Sequence, residues 1–386
     1  MESQAYCVVQ PASTGIGVRG RDRMLTALKR GVPDAVPVWE LIVNEPVIRA
    51  LGYRSYADLV EGLDLDGCTA GENLNYSAIG SMEYKCEWGI VWRMSSNGIL
   101  YPVKGPIKDF REIKNYEPPD PDADHRLESL AALVDRFKGE RCIVFLGHDA
   151  FEFSHYLVGG MAKLFELYYR APELAHELAE KVVEYKCRVM ERAVKEGADV
   201  LLSGDDYANA SGPFLSPALF ARFVLPYLKR CVSVAKRLGV PFVKHTDGNV
   251  WRILDLLVEI GVDALHPIEP AAGMRIEEVK RKYGDRIAVI GNVDCSIVLP
   301  LLSERDVVEV VKETIAKAAS GGGFVLSSSN SIHPGVRPEN FLAMVKAARE
   351  YGRYPIPEEF AREYSARDFY ARVFGKRSAA RARSSF

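Results

Sequence analysis

Apolar runs alternate with amphipathic stretches from about residue 140 to residue 352. The runs are CIVFLG (142–147), ADVLLSG (198–204), PFVKHTDG (241–248), DALHPIE (263–269), RIAVIGN (286–292) and GGFVLSSS (322–329). Runs that are almost continuously apolar are typical of parallel strands buried on both faces. The stretches between them begin at Ser-Pro, Ser-Glu or Arg-Pro and commonly end at Gly, which is typical of helices.

Two earlier segments complete a set of eight strand–helix units. VPVWELI (36–42) predicts the first strand and DGCTAG (66–71) the second. Eight such units favour a TIM-type (β/α)8 barrel over an open α/β sheet. We predict one barrel domain over residues 1–386, with an N-terminal extension (1–35) and a C-terminal tail (353–386). The aromatic and β-branched stretch at 83–104 contains a Ser-Asn-Gly turn and predicts an inserted β-hairpin.

Composition excludes several classes of function. Hydrophobic residues make up 48% of the chain, charged residues 26%, and the formal net charge is −2. This balance gives no field that would attract nucleic acid or an anionic membrane. Because no apolar run approaches about 18 residues and no signal-peptide pattern occurs, we expect a cytoplasmic protein. The basic segment GKRSAARARSSF (375–386) is expected to be solvated.

Sequence motifs exclude several kinds of site. The seven cysteines form no CxxC pair, so neither a zinc ribbon nor a disulfide framework is predicted. Walker A and nucleophile-elbow motifs are also absent from the sequence.

Polar side chains follow nearly every predicted strand, where a barrel carries its chemistry. His245 and Asp247 in HTDGN are two residues apart, so they share one face of the strand. Glu269 in HPIEP also ends an apolar run, and we take these three as catalytic or metal-ligand candidates. His266 is predicted to lie on the opposite face of its strand and to be structural. His148, Asp149 and Cys295 are weaker candidates. Seven residues are substrate-binding candidates: Glu40, Glu72, Asp205, Asp206, Tyr207, Asn330 and His333.

Several stretches together resemble the uroporphyrinogen decarboxylase superfamily, whose fold is a TIM-type barrel. They are SGPFLSPALFARFVLPYLKR, HTDGNVWRILDLLVEIGVDALHPIE, VIGNVD and SIHPGVRPENFLAMVKAARE. The resemblance covers roughly residues 195–352. CEWGIVWR and GPIKDF add to it.

The superfamily has two principal branches. Its decarboxylases bind a highly anionic tetrapyrrole with an arginine-rich segment after the first strand, where this chain carries Glu40 and Glu45 in VWELIVNEPVIRALGY. Its thiol methyltransferases hold zinc through His-x-Cys and a later Cys, where this chain has His245-x-Asp247 and Asn330. The HTDGN and HPIEP segments of this chain resemble the corresponding segments of methyltransferases that move a methyl group from a methoxylated aromatic compound to the corrinoid (cobalamin) of a partner protein.

That resemblance implies an O-demethylase whose leaving phenolate needs a proton or a Lewis acid. His245 oriented by Asp247, or a protonated Glu269, would supply the proton; alternatively His245, Asp247 and Glu269 would hold zinc. Asp205, Asp206 and Asn330 would fix the ring substituents. An apolar slot would draw on aromatic side chains near the strand ends, namely Trp39, Tyr76, Phe153, Tyr207 and Phe214.

Other functions stay open at this point. They are a uroporphyrinogen decarboxylase, a methylcobamide-dependent methyltransferase with another methyl donor or acceptor, and a non-catalytic corrinoid- or tetrapyrrole-binding barrel. The sequence has no DxHxxG cobalamin signature, so the corrinoid would come from a partner protein. A homodimer is a candidate assembly.

Overall fold

The computed structural model describes residues 18–96 and 98–374. Within these ranges the strands are β1 (Gly67–Gly71), β2 (Tyr76–Ala78), β3 (Glu83–Cys86), β4 (Val91–Met94), β5 (Leu100–Lys104), β6 (Cys142–Gly147), β7 (Val200–Ser203), β8 (Ala208–Asn209), β9 (Gly212–Pro213), β10 (Phe242–His245), β11 (Ala264–His266), β12 (Ala288–Val293) and β13 (Phe324–Ser328). The helices are α1 (Gly20–Leu28), α2 (Glu45–Ala50), α3 (Tyr56–Gly62), α4 (Glu128–Phe137), α5 (Phe151–Val158), α6 (Met161–Arg170), α7 (Pro172–Glu196), α8 (Pro217–Phe223), α9 (Leu225–Leu238), α10 (Leu254–Glu259), α11 (Ile276–Tyr283), α12 (Val298–Leu301), α13 (Glu304–Ala318), α14 (Pro338–Tyr351) and α15 (Glu358–Ser365). Short 3-10 helices cover Phe110–Asn115, Asp124–Leu127 and Pro270–Ala272. Cys7 and the basic segment 375–386 lie outside the described residues.

Seven parallel strands form one sheet in the order β1-β6-β7-β10-β11-β12-β13. Helices connect successive strands; α7, for example, lies between β6 and β7, and α13 between β12 and β13. Five of the six apolar runs from 142 to 329 contain one of these strands, the run 286–292 covers β12 except for Val293, and β1 lies within 66–71. The predicted TIM-type barrel is therefore confirmed.

The segment 36–39 closes the barrel between its two edge strands. The Trp39 N–H donates to the Leu326 carbonyl of β13 at 3.1 Å, and the Asp66 N–H donates to the Val38 carbonyl at 2.9 Å. Only an isolated parallel bridge from Val38 to Leu326 results, instead of the continuous strand predicted over 36–42. Pro37 has no N–H, and the Val38 N–H donates to the Asp66 side chain at 2.7 Å, so the ladder cannot extend.

The barrel interior changes from apolar to polar along the strands. Its apolar part is a buried cluster that includes Trp39, Val144, Leu202, Val243, Ala264, Ile290 and Val325. Side chains two residues apart on a strand point the same way. Two residues beyond Val243, Ala264 and Val325 come His245, His266 and Ser327, all of them buried. The C-terminal end of the barrel therefore has a polar interior layer.

The described part of the predicted N-terminal extension, from residue 18 onward, closes the opposite end. Met24 and Leu28 of α1 belong to the same buried interior cluster. Arg23 pairs with Asp66, just before β1, at 2.5 Å, and Arg21 pairs with Asp199, just before β7, at 2.8 Å. Because both partners precede their strands, α1 lies at the amino-terminal end of the barrel.

The predicted hairpin is part of a larger antiparallel sheet in the order β2-β3-β4-β5. It begins at Tyr76 rather than at residue 83, because Tyr76–Ala78 pairs with Tyr84–Cys86. Three residues are too few to show an alternating pattern in the sequence. Trp92 of β4 packs edge-on against Tyr156 of α5, with ring centroids 5.5 Å apart, so the sheet lies against the β6–α5 connection.

Two other segments differ from the prediction. The helix expected from Val250 begins at Leu254, since Val250–Ile253 forms a turn in which the Ile253 N–H donates to the Val250 carbonyl. Within the predicted tail, Phe369 is buried, and the Tyr370 hydroxyl donates to the Asn292 carbonyl at 2.7 Å. The described part of the predicted tail, which runs to Phe374, therefore packs against the barrel through Phe369 and Tyr370.

None of the helices within 18–96 and 98–374 has the length and apolar character needed to cross a bilayer.

Candidate functional site

His245 and His266 lie side by side in the polar layer at the C-terminal end of the barrel. Their Nδ1 atoms are 2.7 Å apart, and both side chains are buried. The prediction that His266 faces away from the site is wrong. β10 and β11 are parallel and pair His245 directly with His266, so both side chains point to the same face.

Burial keeps both imidazoles neutral. Burial, with the nearby His266 and Lys244, lowers the pKa of His245 well below its ordinary value. Burial also lowers the pKa of His266 to about 3. A neutral His245 is not an imidazolium acid. Its Nε2 atom, which faces the mouth of the barrel, is instead either a ligand atom or a neutral N–H donor.

Two aspartates face the Nε2 atom of His245. Their nearest carboxylate oxygens are 3.7 Å away for Asp206 and 3.8 Å away for Asp247. Gly248 makes this approach possible: it has φ +86°, and an added Cβ would lie 2.5 Å from the backbone of Ala208. Only glycine turns the chain there without strain.

Glu269 stands apart from this group. Its Oε2 accepts the Gly248 N–H at 2.8 Å. The side chains whose ligand atoms all lie within 4.8 Å of one another are Asp206, His245 and Asp247. Glu269, predicted as a metal ligand, is outside this group and supports the loop after β10, whereas Asp206 lies within it.

The carboxyl groups of this cluster repel one another. Burial and the charge of Glu152 raise the pKa of Asp206 to about 7. Burial, with the charges of Asp206 and Glu269, raises the pKa of Asp247 to about 9. Burial also raises the pKa of Glu269. Such a group gains stability from protons or from a bound cation.

A divalent metal fits the donors that are present. Asp247 Oδ1 is buried and has no hydrogen-bond partner, while Asp247 Oδ2 accepts from the Asn330 amide. One imidazole and two carboxylates are a donor set found at catalytic zinc sites. The residues that fit are Asp206, His245 and Asp247.

A second cluster, next to the first, holds a histidine between two carboxylates. His148 Nδ1 lies 3.0 Å from Asp205 Oδ1 and 3.3 Å from Glu152 Oε2. Burial opposes protonation, but these two carboxylates prevail and raise the pKa of His148 to about 9. Asp205 also accepts the Asp149 and Glu152 N–H groups at 2.9 Å each, so its oxygens are already satisfied. This cluster is an ion pair built around the start of α5.

Glu152 joins the two clusters and was not predicted from the sequence. Its Oε2 faces His148, and its Oε1 accepts the Asp206 N–H at 3.3 Å. The signal was the i, i+4 spacing of His148 and Glu152 in HDAFE, which places both side chains on one side of a helical turn.

His148 should make stability depend on pH. Its pKa of about 9 exceeds the unfolded value of about 6.5. The ion pair therefore stabilises fully below about pH 6.5, and this stabilisation is lost as the pH rises through about 9. Between these limits, the unfolding free energy of the wild type should fall by on the order of 2–3 kcal/mol more than that of His148→Gln. Urea titrations at constant ionic strength measure this difference, and parallel curves for the two proteins would contradict it.

Lys244 is the second residue that the sequence reasoning missed. It is fully buried and donates to the Ser203 hydroxyl at 2.9 Å and to the Asp205 carbonyl at 2.8 Å. Asp149 Oδ2 lies 3.6 Å away. A lysine inside the apolar run PFVKH was the available signal, because a buried ammonium needs partners.

Tyr207 belongs to the Lys244 cluster and not to an exposed substrate surface. Its side chain is buried, and its hydroxyl donates to Asp149. The Lys244 ammonium lies 4.0 Å from the centre of its ring. The aromatic face is thus used by Lys244.

Glu40 and Glu72 are bound by protein groups and do not reach the mouth as free carboxylates. Glu40 is fully buried and accepts the Ser328 N–H at 2.9 Å. Glu72 accepts from Lys186 at 2.8 Å and from the Tyr185 hydroxyl. Burial alone would raise the pKa of Glu72, but the Lys186 ammonium and these hydrogen bonds bring it below its ordinary value.

Asn330 and His333 have different positions. The Asn330 amide donates to Asp247, so it lies at the candidate site. His333 instead holds a loop: its Nδ1 accepts the Gly335 N–H at 3.0 Å, and its Nε2 lies 2.8 Å from the Cys295 carbonyl. Burial raises the pKa of Cys295 to about 11, so this thiol is protonated at neutral pH.

The aromatic residues expected to form a slot are dispersed. Trp39 packs in the barrel interior against His266, with ring centroids 5.4 Å apart. Phe153 lies 5.4 Å from the His148 ring and beneath the Lys186 ammonium. Tyr76 is on the inserted sheet, and Phe214 is half-buried after β9. Of these, Phe153 contacts the residues of the site.

The chain is similar to known proteins over most of its length. The sequence profile of the uroporphyrinogen decarboxylase (URO-D) family matches residues 89–351. A uroporphyrinogen decarboxylase from Thioalkalivibrio sulfidiphilus (strain HL-EbGR7) is 26% identical over 363 residues, covering 86% of this chain and 98% of that protein. One from Myxococcus xanthus (strain DK1622) is 26% identical over 355 residues, covering 86% and 97%. Among solved structures, a methyltransferase from Methanosarcina mazei has a TM-score of 0.65 at 20% identity, covering 86% of this chain and 99% of that one, which shows a shared fold.

Proposed function

Because this chain belongs to the uroporphyrinogen decarboxylase family, we propose that it is a corrinoid-dependent methyltransferase of that family. Its methyl donor would be an aryl methyl ether, and the acceptor would be the Co(I) corrinoid of a partner protein. The observation that carries this proposal is the pair of carboxyl groups, Asp206 and Asp247, that faces the neutral His245 at the barrel mouth.

The electrostatics of the mouth argue against a highly anionic substrate. Asp206, Asp247 and Glu269 all have a raised pKa, which shows that additional negative charge is unfavourable there. The positive groups around them, Lys244 and His148, are held by protein carboxylates and carbonyls. A neutral ether is therefore a better match than a tetrapyrrole with many carboxylates.

The reaction moves one methyl group between two nucleophiles. The methyl carbon passes from the ether oxygen to the cobalt of the corrinoid, which enters as the accepting substrate. The new Co–C bond uses the electron pair of Co(I), and the pair of the broken C–O bond stays on the phenolate oxygen. Since phenol has a pKa of about 10, departure is favoured by a proton or a Lewis acid at that oxygen.

This chain offers both kinds of assistance at one place. Asp206, His245 and Asp247 would hold a zinc ion, which would act as a Lewis acid toward the ether oxygen. The Asn330 amide donates to Asp247, and the hydrogen bond from the Gly248 N–H to Glu269 fixes the loop that follows Asp247. Without a metal, the carboxyl of Asp247, which lies 3.8 Å from His245, keeps a proton at neutral pH.

The first test uses reduced Co(I) cobalamin and a panel of methoxylated aromatic compounds, with methanol and methylamines as other donors. Loss of the Co(I) absorbance with growth of the methyl-Co(III) spectrum, only in the presence of protein and a methoxylated donor, is the expected result. Activity with methanol or methylamines alone would assign another methyl donor. A flat trace across the panel, with active Co(I) confirmed, would contradict the proposal.

A second candidate is suggested by the names of the curated relatives, which are uroporphyrinogen decarboxylases. Incubation with uroporphyrinogen, followed by chromatography of the porphyrins after oxidation, tests it directly. Formation of coproporphyrinogen would establish decarboxylation in place of methyl transfer.

A further inference from the structure

A chain of buried polar groups leads from His245 into the barrel wall and ends at Glu40. His245 Nδ1 lies 2.7 Å from His266 Nδ1, and His266 Nε2 lies 3.3 Å from the Ser327 hydroxyl. The Ser327 hydroxyl lies 3.4 Å from Glu40 Oε2. All four side chains are buried, so water does not interrupt the chain.

The short contact between the two imidazoles allows only two hydrogen-bond patterns. Two lone pairs or two N–H groups only 2.7 Å apart would repel, so one hydrogen lies between the two Nδ1 atoms and each ring has one further nitrogen. If His245 donates, then His266 donates to Ser327, Ser327 donates to Glu40, and His245 Nε2 presents a lone pair to the mouth. If His266 donates, every bond reverses, and His245 presents an N–H.

The state of Glu40 selects between these patterns. Glu40 Oε1 accepts the Ser328 N–H at 2.9 Å, which leaves Oε2 to face the hydroxyls of Ser328 at 2.6 Å and Ser327. An ionised Oε2 accepts from Ser327 and favours the lone pair at His245. A protonated Oε2 donates to Ser327 and favours the N–H.

We propose that Glu40, Ser327 and His266 form a proton relay that sets which tautomer His245 presents to Asp206 and Asp247. Glu40 and Ser327 are positioning residues in this relay, because neither touches the mouth. A cation bound at His245 Nε2 would take the place of one proton, which would leave to solvent. The protons of His266, Ser327 and Glu40 would each move one step toward His245, and the negative charge would lie on Glu40. The inference rests on the proposed metal site but not on methyl transfer.

The environment of Glu40 supports this role. Burial raises the pKa of Glu40 to about 8, although the Ser328 and Ser327 hydrogen bonds oppose the rise. Glu40 therefore carries its proton at neutral pH and releases it close to that range. The other titratable groups nearby are Tyr56 of α3, which faces Glu40 and Cys68 of β1, and His266 of β11, which is linked to Glu40 through Ser327. Burial raises the pKa of Tyr56 and of Cys68 well above that of Glu40, whereas it lowers that of His266.

Zinc affinity of the metal-free protein tests the relay without any methyl transfer. In Glu40→Gln, the amide oxygen accepts the Ser328 N–H, and the NH2 group then faces Ser327 as a donor, which holds the N–H pattern. Competition with a chromophoric chelator should show zinc binding at least about 10-fold weaker in Glu40→Gln and in Ser327→Ala. Ser328→Ala is the matched control, since the Ser328 hydroxyl bonds Glu40 whereas Ser328 contacts His266 through its backbone, which alanine keeps. Its zinc affinity should stay within about 3-fold of wild type.

Nuclear magnetic resonance of protein labelled with ¹⁵N-histidine separates failure of the relay from failure of the metal site. Raising the pH through about 8 should move the hydrogens on both His245 and His266 together in wild type, but not in Glu40→Gln. His245 also faces Asp206, Asp247 and Lys244, and these groups are the same in both proteins. Tautomers that change alike in wild type and Glu40→Gln would overturn the relay. So would equal zinc affinities in wild type and in folded Glu40→Gln and Ser327→Ala. A wild type that shows the tautomer change without binding zinc would overturn the metal site alone.

Discussion

Replacing Lys244 with alanine should destabilise the folded protein by about 3–5 kcal/mol, the usual cost of removing one partner of a buried ion pair. The Lys244 ammonium is fully buried and bonds the Ser203 hydroxyl and the Asp205 carbonyl. Without it, Asp149 keeps a buried carboxylate that is stabilised by the hydroxyls of Ser203 and Tyr207 and by the Phe151 N–H but by no buried ammonium. Urea unfolding followed by circular dichroism measures the loss.

The surface pair Arg170–Glu166 is the control for this experiment. Its two side chains are 72% and 45% exposed, and the atoms are 2.7 Å apart in i, i+4 positions on α6. Arg170→Ala should change the unfolding free energy by no more than about 0.5 kcal/mol. A Lys244→Ala protein as stable as Arg170→Ala would show that the Lys244 cluster is not an ion pair under these conditions.

Replacing His245 with alanine should lower methyl transfer from an aryl ether to Co(I) cobalamin by about 10²–10⁴-fold. His245 Nε2 is the nitrogen that Asp206 and Asp247 face, so its loss removes the imidazole ligand or donor of the site. The same change should abolish zinc binding while the protein stays folded. Initial rates of methyl-Co(III) formation, measured with saturating donor, give the fold-change.

Glu269→Gln provides the comparison, because Glu269 follows the next strand but lies outside the close group of Asp206, His245 and Asp247. Its Oε2 accepts the Gly248 N–H, a contact that the Gln amide oxygen can keep. We expect a rate within about 10-fold of wild type, well above that of His245→Ala. Equal losses in the two variants would return Glu269 to the catalytic group.

The barrel could be predicted because its strands are buried on both faces and therefore stand out as apolar runs. CIVFLG and DGCTAG each contain the observed strand, and RIAVIGN covers all but its last residue. VPVWELI was read as a full strand because its composition is apolar, but Pro37 and the Asp66 side chain limit its pairing to a bridge. Tyr76–Ala78 was missed because its partner strand, and not its own sequence, makes it a strand.

The candidate site was predicted in part. The spacing in HTDGN places His245 and Asp247 together, and the structure keeps them together with Asp206. Glu72 and His333 were selected as polar residues after strands, but they bind Lys186 and the loop at Cys295. A polar residue at a strand end looks the same in sequence whether it faces a substrate or a protein partner.

The sequence by itself determined the architecture and the end of the barrel that carries the chemistry, because hydrophobic periodicity and chain order are local properties of the chain. Only the tertiary structure decided which residues act together. The pairing of His245 with His266 depends on the register of β10 against β11, and the approach of Asp206 depends on that of β7 against β10. The buried path ends in a contact between Ser327 and Glu40, which are 287 positions apart in the sequence. Protonation states follow from burial and from such contacts, so they too are decided only when the barrel closes.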